Sequence, residues 1–261
     1  MTRIIAVAMQ KGGVGKTTTA MNLAAALAEL GQRVLAIDLD PQGNLTQHCG
    51  FDPDNISPSI YDIFKQEMDG FNTDVTTAIY ETDEGFHLLP SQPELSLIEL
   101  SLINTLSRER VLATVMEPVQ DRYDYVLIDC NPSLGLLVIN ALTAATDVII
   151  PIQTEYLAAR GALMILSSIE TVRRKKLNPD LHIAGILLTM ADTRTTLTRD
   201  VLAAVETQYG DGIHIFDTYI KRSVRFGESA AAGQSILTYD PNGDGAAAYR
   251  KVAKALANRN P

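Results

Sequence analysis

Short, mostly apolar runs recur along the chain and alternate with segments whose apolar residues return every three or four positions. The runs are Ile4 to Met9, Val34 to Ile37, Tyr125 to Ile128, Val148 to Ile152 and Ile183 to Met190. Nearly continuous apolarity over so few residues is the pattern of parallel strands buried on both faces. Shorter strands are predicted at Phe86 to Pro90 and Ile213 to Phe216. Between the runs, Thr17 to Leu30 carries Ala20, Leu23, Ala24, Leu27 and Leu30 at helical spacing, with Gly31 where a C-cap belongs. Further helices are predicted over Ile60 to Met68, Ser96 to Glu117 (closed by Pro118), a segment ending at Lys176, Thr196 to Gln208 and Ala246 to Ala257. This alternation, without repeats or a linker, predicts an α/β fold: a single doubly wound domain over residues 1–261 with a mostly parallel sheet.

Composition narrows the possibilities. The 261 residues suffice for one continuous core, and with no tryptophan that core must be mostly aliphatic. A net charge of −9 argues against nucleic-acid binding by bulk charge, so any DNA contact requires a local basic patch. Cys49 and Cys130 lack metal or redox spacing and read as two reduced, partly buried thiols; the four histidines are scattered. The apolar start is interrupted at Lys11, and Gly135 to Ile152 is broken by Asn140, Asp147 and Pro151. Neither reads as a signal peptide or a membrane span, and a cytoplasmic protein is expected.

The first strand leads into Gln10-Lys11-Gly12-Gly13-Val14-Gly15-Lys16-Thr17-Thr18, which opens a helix. Strand, glycine-rich turn and helix are the context in which backbone N–H groups and a helix start cradle a polyphosphate. Lys16 then reaches the terminal phosphates and Thr17 ligates Mg²⁺. Gln10 stands where the common phosphate-loop pattern has glycine, and the third glycine of a dinucleotide fingerprint would fall on Thr18. The match is a variant, K-G-G-x-G-K-T-T, with an additional lysine at Lys11. The second run ends in Asp38-Leu39-Asp40, on the ligand edge of such a sheet, and either carboxylate is open to a turn-forming or a functional role. Tyr125 to Asp129 suits a strand whose terminal carboxylate, Asp129, backs a Mg²⁺ shell, and the loop Asn131 to Gly135 is placed to sense a terminal phosphate. The basic cluster Arg173 to Lys176 reads as a solvated helix end that complements the dipole.

Taken in order, Lys11 to Thr18, Asp38 to Asn44, Ile128 to Gly135, Leu187 to Met190, Arg222 to Arg225 and Tyr239 to Pro241 resemble the ParA/MinD family of deviant-Walker ATPases, on its ParA side, over nearly the whole chain. With ten residues before Lys11, the chain looks like the short Soj-type form without an N-terminal helix-turn-helix. The resemblance implies an ATP- and Mg²⁺-dependent ATPase with slow basal turnover that forms a sandwich homodimer in the ATP state. That dimer would bind non-specific DNA at the nucleoid and segregate plasmid or chromosome cargo, with a ParB-like or adaptor partner stimulating hydrolysis. By the same resemblance Lys11 reaches the partner subunit's phosphates, and Gly12, Gly13, Val14, Gly15, Lys16, Thr17 and Thr18 bind nucleotide. Asp40 supports the attacking water, and Thr17, Asp40 and Asp129 surround the metal. Met190, and Lys221 in the segment the family places near the adenine, are implied to bind the nucleotide as well. Arg194, Arg222 and Arg225 are implied DNA contacts, with Arg173, Arg174 and Lys175 as helpers.

Asn131 and Lys221 stand where relatives have proline, and Ala230 to Ala232 and Gly243 to Gly245 also depart from the pattern. Those departures bear on the DNA surface and the adenine end. Positioning of a protein cargo, such as a carboxysome or chemoreceptor cluster, is the alternative function. A MinD-like membrane switch would need a basic, bulky amphipathic tail, whereas residues 246–261 are largely alanine, so no membrane partner is expected. An iron-protein relative would need cluster cysteines that Cys49 and Cys130 do not match. A metabolic relative such as a cobyrinate amidase would need a substrate site that the sequence does not supply.

Overall fold

A computed structural model describes residues 2–71, 73–153, 158–191 and 213–258. Seven strands form one sheet: β1 (Arg3–Val7), β2 (Val34–Leu39), β3 (Tyr80–Glu81), β4 (His87–Leu89), β5 (Tyr125–Cys130), β6 (Asp147–Gln153) and β7 (His182–Thr189). Their order is β3-β4-β2-β5-β1-β6-β7. The short β3 runs antiparallel to β4, and all other pairings are parallel. Every residue of β2 and β5 is buried, which is why these runs carry no polar alternation.

Alternate residues feed two cores. Ile4 and Ala6 of β1 face one, with α3 (Ile60–Met68), α4 (Leu95–Leu102), α5 (Val111–Met116), α6 (Leu136–Ala144) and α7 (Ala158–Arg174). Ile5 and Val7 face the other, with α1 (Lys16–Glu29), α9 (Ile236–Tyr239) and α10 (Asp244–Ala257). Two short helices, α2 (Asn44–His48) and α8 (Arg225–Ala231), lie beside α1 and α9. Helix α1 closes at Gly31, whose N–H reaches the Ala28 carbonyl at 2.8 Å while that of Gln32 reaches Leu27 at 3.2 Å. The sheet is the doubly wound, mostly parallel arrangement expected from the runs.

Two expectations about elements need correction. The single helix predicted over Ser96 to Glu117 is two helices, with turns between them and Ser107 at φ 52°. Asn140 of α6 holds the break: its amide donates to the Arg108 carbonyl at 2.8 Å and accepts from the Leu112 N–H at 3.1 Å. Leucine spacing cannot reveal such a tertiary staple. The strand predicted at Ile213 to Phe216 is reduced to one parallel bridge, Ile186 with Ile215. The helix predicted over Thr196 to Gln208 lies outside the described residues.

Candidate active site

Parallel pairing places the chemistry-bearing loops at one edge. Asp129 is in register with Val7 on one side and Asp38 on the other, so the ends of β1, β2 and β5 are level. From β1 the loop 8–15 turns back into α1, with Gly13 at φ 73° and Gly15, the N-cap, at φ 86°. An L side chain resists both conformations, so glycine here is a requirement of the turn. From β7, Thr189 donates its hydroxyl to the Val14 carbonyl at 2.8 Å and braces the loop.

Lys16 is 7% exposed and donates to the Lys11 carbonyl at 3.1 Å. Burial lowers its pKa, opposed by the Asp129, Cys130 and Asp40 side chains. Asp129 is fully buried, and desolvation together with the nearby Asp38 raises its carboxyl well above the usual range; Thr17 and Lys16 counter this. Neither Asp129 oxygen has a hydrogen-bond donor at bonding geometry among the described residues, and the same holds for Gln10 Oε1 and Asn131 Oδ1. Orphaned buried acceptors are costly unless something else meets them. Here they surround the phosphate loop beside a hydroxyl, Thr17. Hard oxygen donors suit a small divalent cation shared with a polyphosphate, and no separate cage of three or more His, Cys, Asp or Glu exists among the described residues. The residues fit such a group.

The structure separates the roles of Asp38 and Asp40. Asp38 accepts from the Thr46 N–H and hydroxyl, both at 2.8 Å, and from the Asp40 N–H at 3.2 Å. Burial, offset by these bonds, raises it to about 6. Thr46 Oγ1 in turn accepts from the Ser91 N–H at 2.9 Å, tying the ends of β2 and β4 together. Asp38 is therefore the anchor of the loop, whereas Asp40 is bound through Oδ1 to the Gln42 N–H at 3.0 Å.

A pocket of about 410 Å³ adjoins the phosphate loop. Gly15 and Thr18 line its inner end, and Thr189, Met190, Lys221 and Phe226 line its walls. Met190 and Lys221 thus share one pocket with the phosphate-loop residues Gly15 and Thr18. Arg222 and Arg225 lie nearby, Arg222 exposed. Arg225 pairs with Glu228 at 2.9 Å and Lys221 with Asp244 at 2.8 Å. Arg173, Arg174 and Lys175 end α7, at the strands' N-terminal edge, opposite Arg222 and Arg225. The fold therefore does not bring the helper group to the other arginines, and Arg173 already donates to the Leu181 carbonyl at 2.7 Å. Arg194 lies outside the described residues.

A family model described as an AAA domain matches residues 2–183. The sporulation initiation inhibitor protein Soj of Bacillus subtilis is 43% identical over 257 residues, 98% of this chain and 99% of that protein. The chromosome partitioning protein ParA of Caulobacter vibrioides is 40% identical over 259 residues, 98% of this chain and 94% of that protein. This chain belongs to the ParA/MinD family of P-loop ATPases. Among solved members of similar fold, a crystal structure of cobyrinic acid a,c-diamide synthase from Mycobacterium smegmatis with bound ADP and magnesium superposes with a TM-score of 0.84. That protein is 41% identical, and the match covers 98% of this chain and 94% of that one.

Within the ParA/MinD frame, reading the sequence missed the supports: Thr46, Ser91, Thr189 and Asn22. Asn22 donates to the Thr18 carbonyl at 2.7 Å and accepts from the Ile236 N–H at 2.6 Å, joining the phosphate-loop helix to α9. Polar residues inside otherwise apolar segments were the available signal for Asn22 and Thr189.

Proposed function

We propose that this protein is a Mg²⁺-dependent, ATP-driven switch of the ParA type, working as a cytoplasmic homodimer that binds non-specific DNA in its ATP state and positions DNA cargo. The observation that carries this reading is the buried pair of Lys16 and Asp129 beneath a glycine loop, with the nucleoside-sized pocket adjoining it. Lys16 and the loop N–H groups bind the phosphates, and Thr17 and Asp129 hold the metal side. When bound, Mg²⁺ supplies charge neutralisation at the phosphates. Asp40, on a loop fixed by Asp38, orients the attacking water. Lys11, half-exposed on the loop, serves the facing subunit, where two triphosphates meeting across an interface need added positive charge. Turnover is slow until a partner protein completes the site.

The variants separate these roles. Lys16→Ala should weaken ATP binding at least ~10-fold. Asp40→Ala should keep ATP binding and lose about a hundredfold in kcat. Lys11→Ala should bind ATP but fail to dimerise, as read by light scattering. Hydrolysis by Asp40→Ala at the wild-type rate would refute its role.

An amide-forming activity, suggested by the name of the Mycobacterium smegmatis relative, has less support. Glutamine-dependent amidation uses a reactive thiolate. Burial pushes the thiols of Cys49 and Cys130 up, away from that state.

A further inference from the structure

The phosphate end of the site is furnished by the glycine loop and its lysines, while the pocket beyond it has a polar side chain with no assigned task. His48, the last residue of α2, lines that pocket together with Thr18, Met190, Phe226 and Ala230. Its position is fixed at the other end of the helix. Gly43, the N-cap at φ 63°, packs so closely on Pro53 that a Cβ would lie 2.6 Å from the ring, and Thr46 is tied to Asp38. Five residues of helix thus carry the imidazole to the pocket wall on a rigid support.

Burial lowers the His48 pKa, and no hydrogen bond or charged neighbour opposes it among the described residues. Burial thus favours the uncharged ring, in which one nitrogen donates and the other accepts. A phosphate would use only the donor half of that pair. The whole pair matches a nucleoside, whose sugar hydroxyls and base edges offer both kinds of partner.

We propose that His48 is a nucleoside-contacting residue: it hydrogen-bonds the sugar–base half of the bound nucleotide and helps this site prefer a nucleotide to a bare polyphosphate. The inference rests on the reading of this site as an ATP site.

The test is calorimetric titration of the full chain, with Mg²⁺, using a non-hydrolysable ATP analogue and inorganic tripolyphosphate on wild type, His48→Ala and His48→Gln. His48→Ala should weaken the ATP analogue about five- to tenfold and leave tripolyphosphate unchanged. His48→Gln, which keeps a donor and an acceptor, should recover part of the loss. Equal affinity of His48→Ala and wild type for the analogue would overturn the inference. So would an equal loss toward both ligands, which would mark His48 as a structural support of the phosphate loop. If wild type failed to bind the analogue at all, the nucleotide reading itself would fall, a result distinct from any difference among the His48 variants.

Discussion

Asp38 and Asp40 stand two positions apart at the end of one strand, and their surroundings assign them different tasks. Asp38 is enclosed and receives three hydrogen bonds, so it orders the loop that presents Asp40. From spacing alone the two were interchangeable, because two of the three donors to Asp38 come from Thr46, outside the strand, and its burial comes from the packed fold. The same limit applied to Thr189. By contrast Lys16 and Thr17 were legible, since the loop that positions them is local in sequence. The Asp38 environment has a pH signature. Its folded pKa of about 6 exceeds the ordinary 3.8, so the folded state takes up this proton more readily than the unfolded chain. This group's contribution to stability is therefore greatest below about pH 4 and declines as pH rises through about 6. The buried Asp129 adds the same sign. Thr46→Val removes a donor that matters most when Asp38 is charged. Urea unfolding should show a loss of about 1.5–3 kcal/mol at pH 7.5, shrinking to about 1 kcal/mol at pH 5. A loss independent of pH would contradict this account of Asp38.

At the level of elements, the turns decide where helices begin. Loop 40–43 passes into α2 through Gly43, whose left-handed backbone and contact with Pro53 leave no room for a side chain. Gly43→Ala should destabilise the fold by about 2 kcal/mol, measured by urea or thermal unfolding, because the left-handed conformation alone costs an L residue about 1–2 kcal/mol. It should also displace Asp40 and slow ATP hydrolysis more than it weakens ATP binding. An alanine variant as stable and active as wild type would show that the loop relaxes freely. Strands were read well here because buried parallel strands are continuous apolar runs, as in β2 and β5. The division of Ser96 to Glu117 was not legible. It depends on Asn140 reaching across from another helix to hold the Arg108 carbonyl within the break and the Leu112 N–H at the start of α5.

For the molecule as a whole, the alternating strands and helices left few topologies open, and the sheet with its ligand edge followed from them. What sequence order could not give was which basic residues share a surface. With a net charge of −9, the chain needs a concentrated patch to hold DNA. Arg222 and Arg225 lie at the edge that also carries the nucleotide pocket, whereas Arg173 to Lys175 end at the opposite edge. Lys221 and Arg225 are ion-paired to Asp244 and Glu228, which lessens the charge they offer a phosphate backbone. Among the described residues this edge therefore offers little unpaired positive charge, and the proposed DNA binding calls for a nucleotide-driven assembly that brings two such edges together. The most direct measurement is a fluorescence titration of a labelled non-specific duplex with the wild-type protein and Mg²⁺. It would compare ATP, ADP and no nucleotide at one stated salt concentration and then repeat the ATP arm at rising salt. The account predicts binding in ATP alone, weakening steeply with salt as released counterions require. Equal binding in all three nucleotide states, or none in ATP, would contradict it.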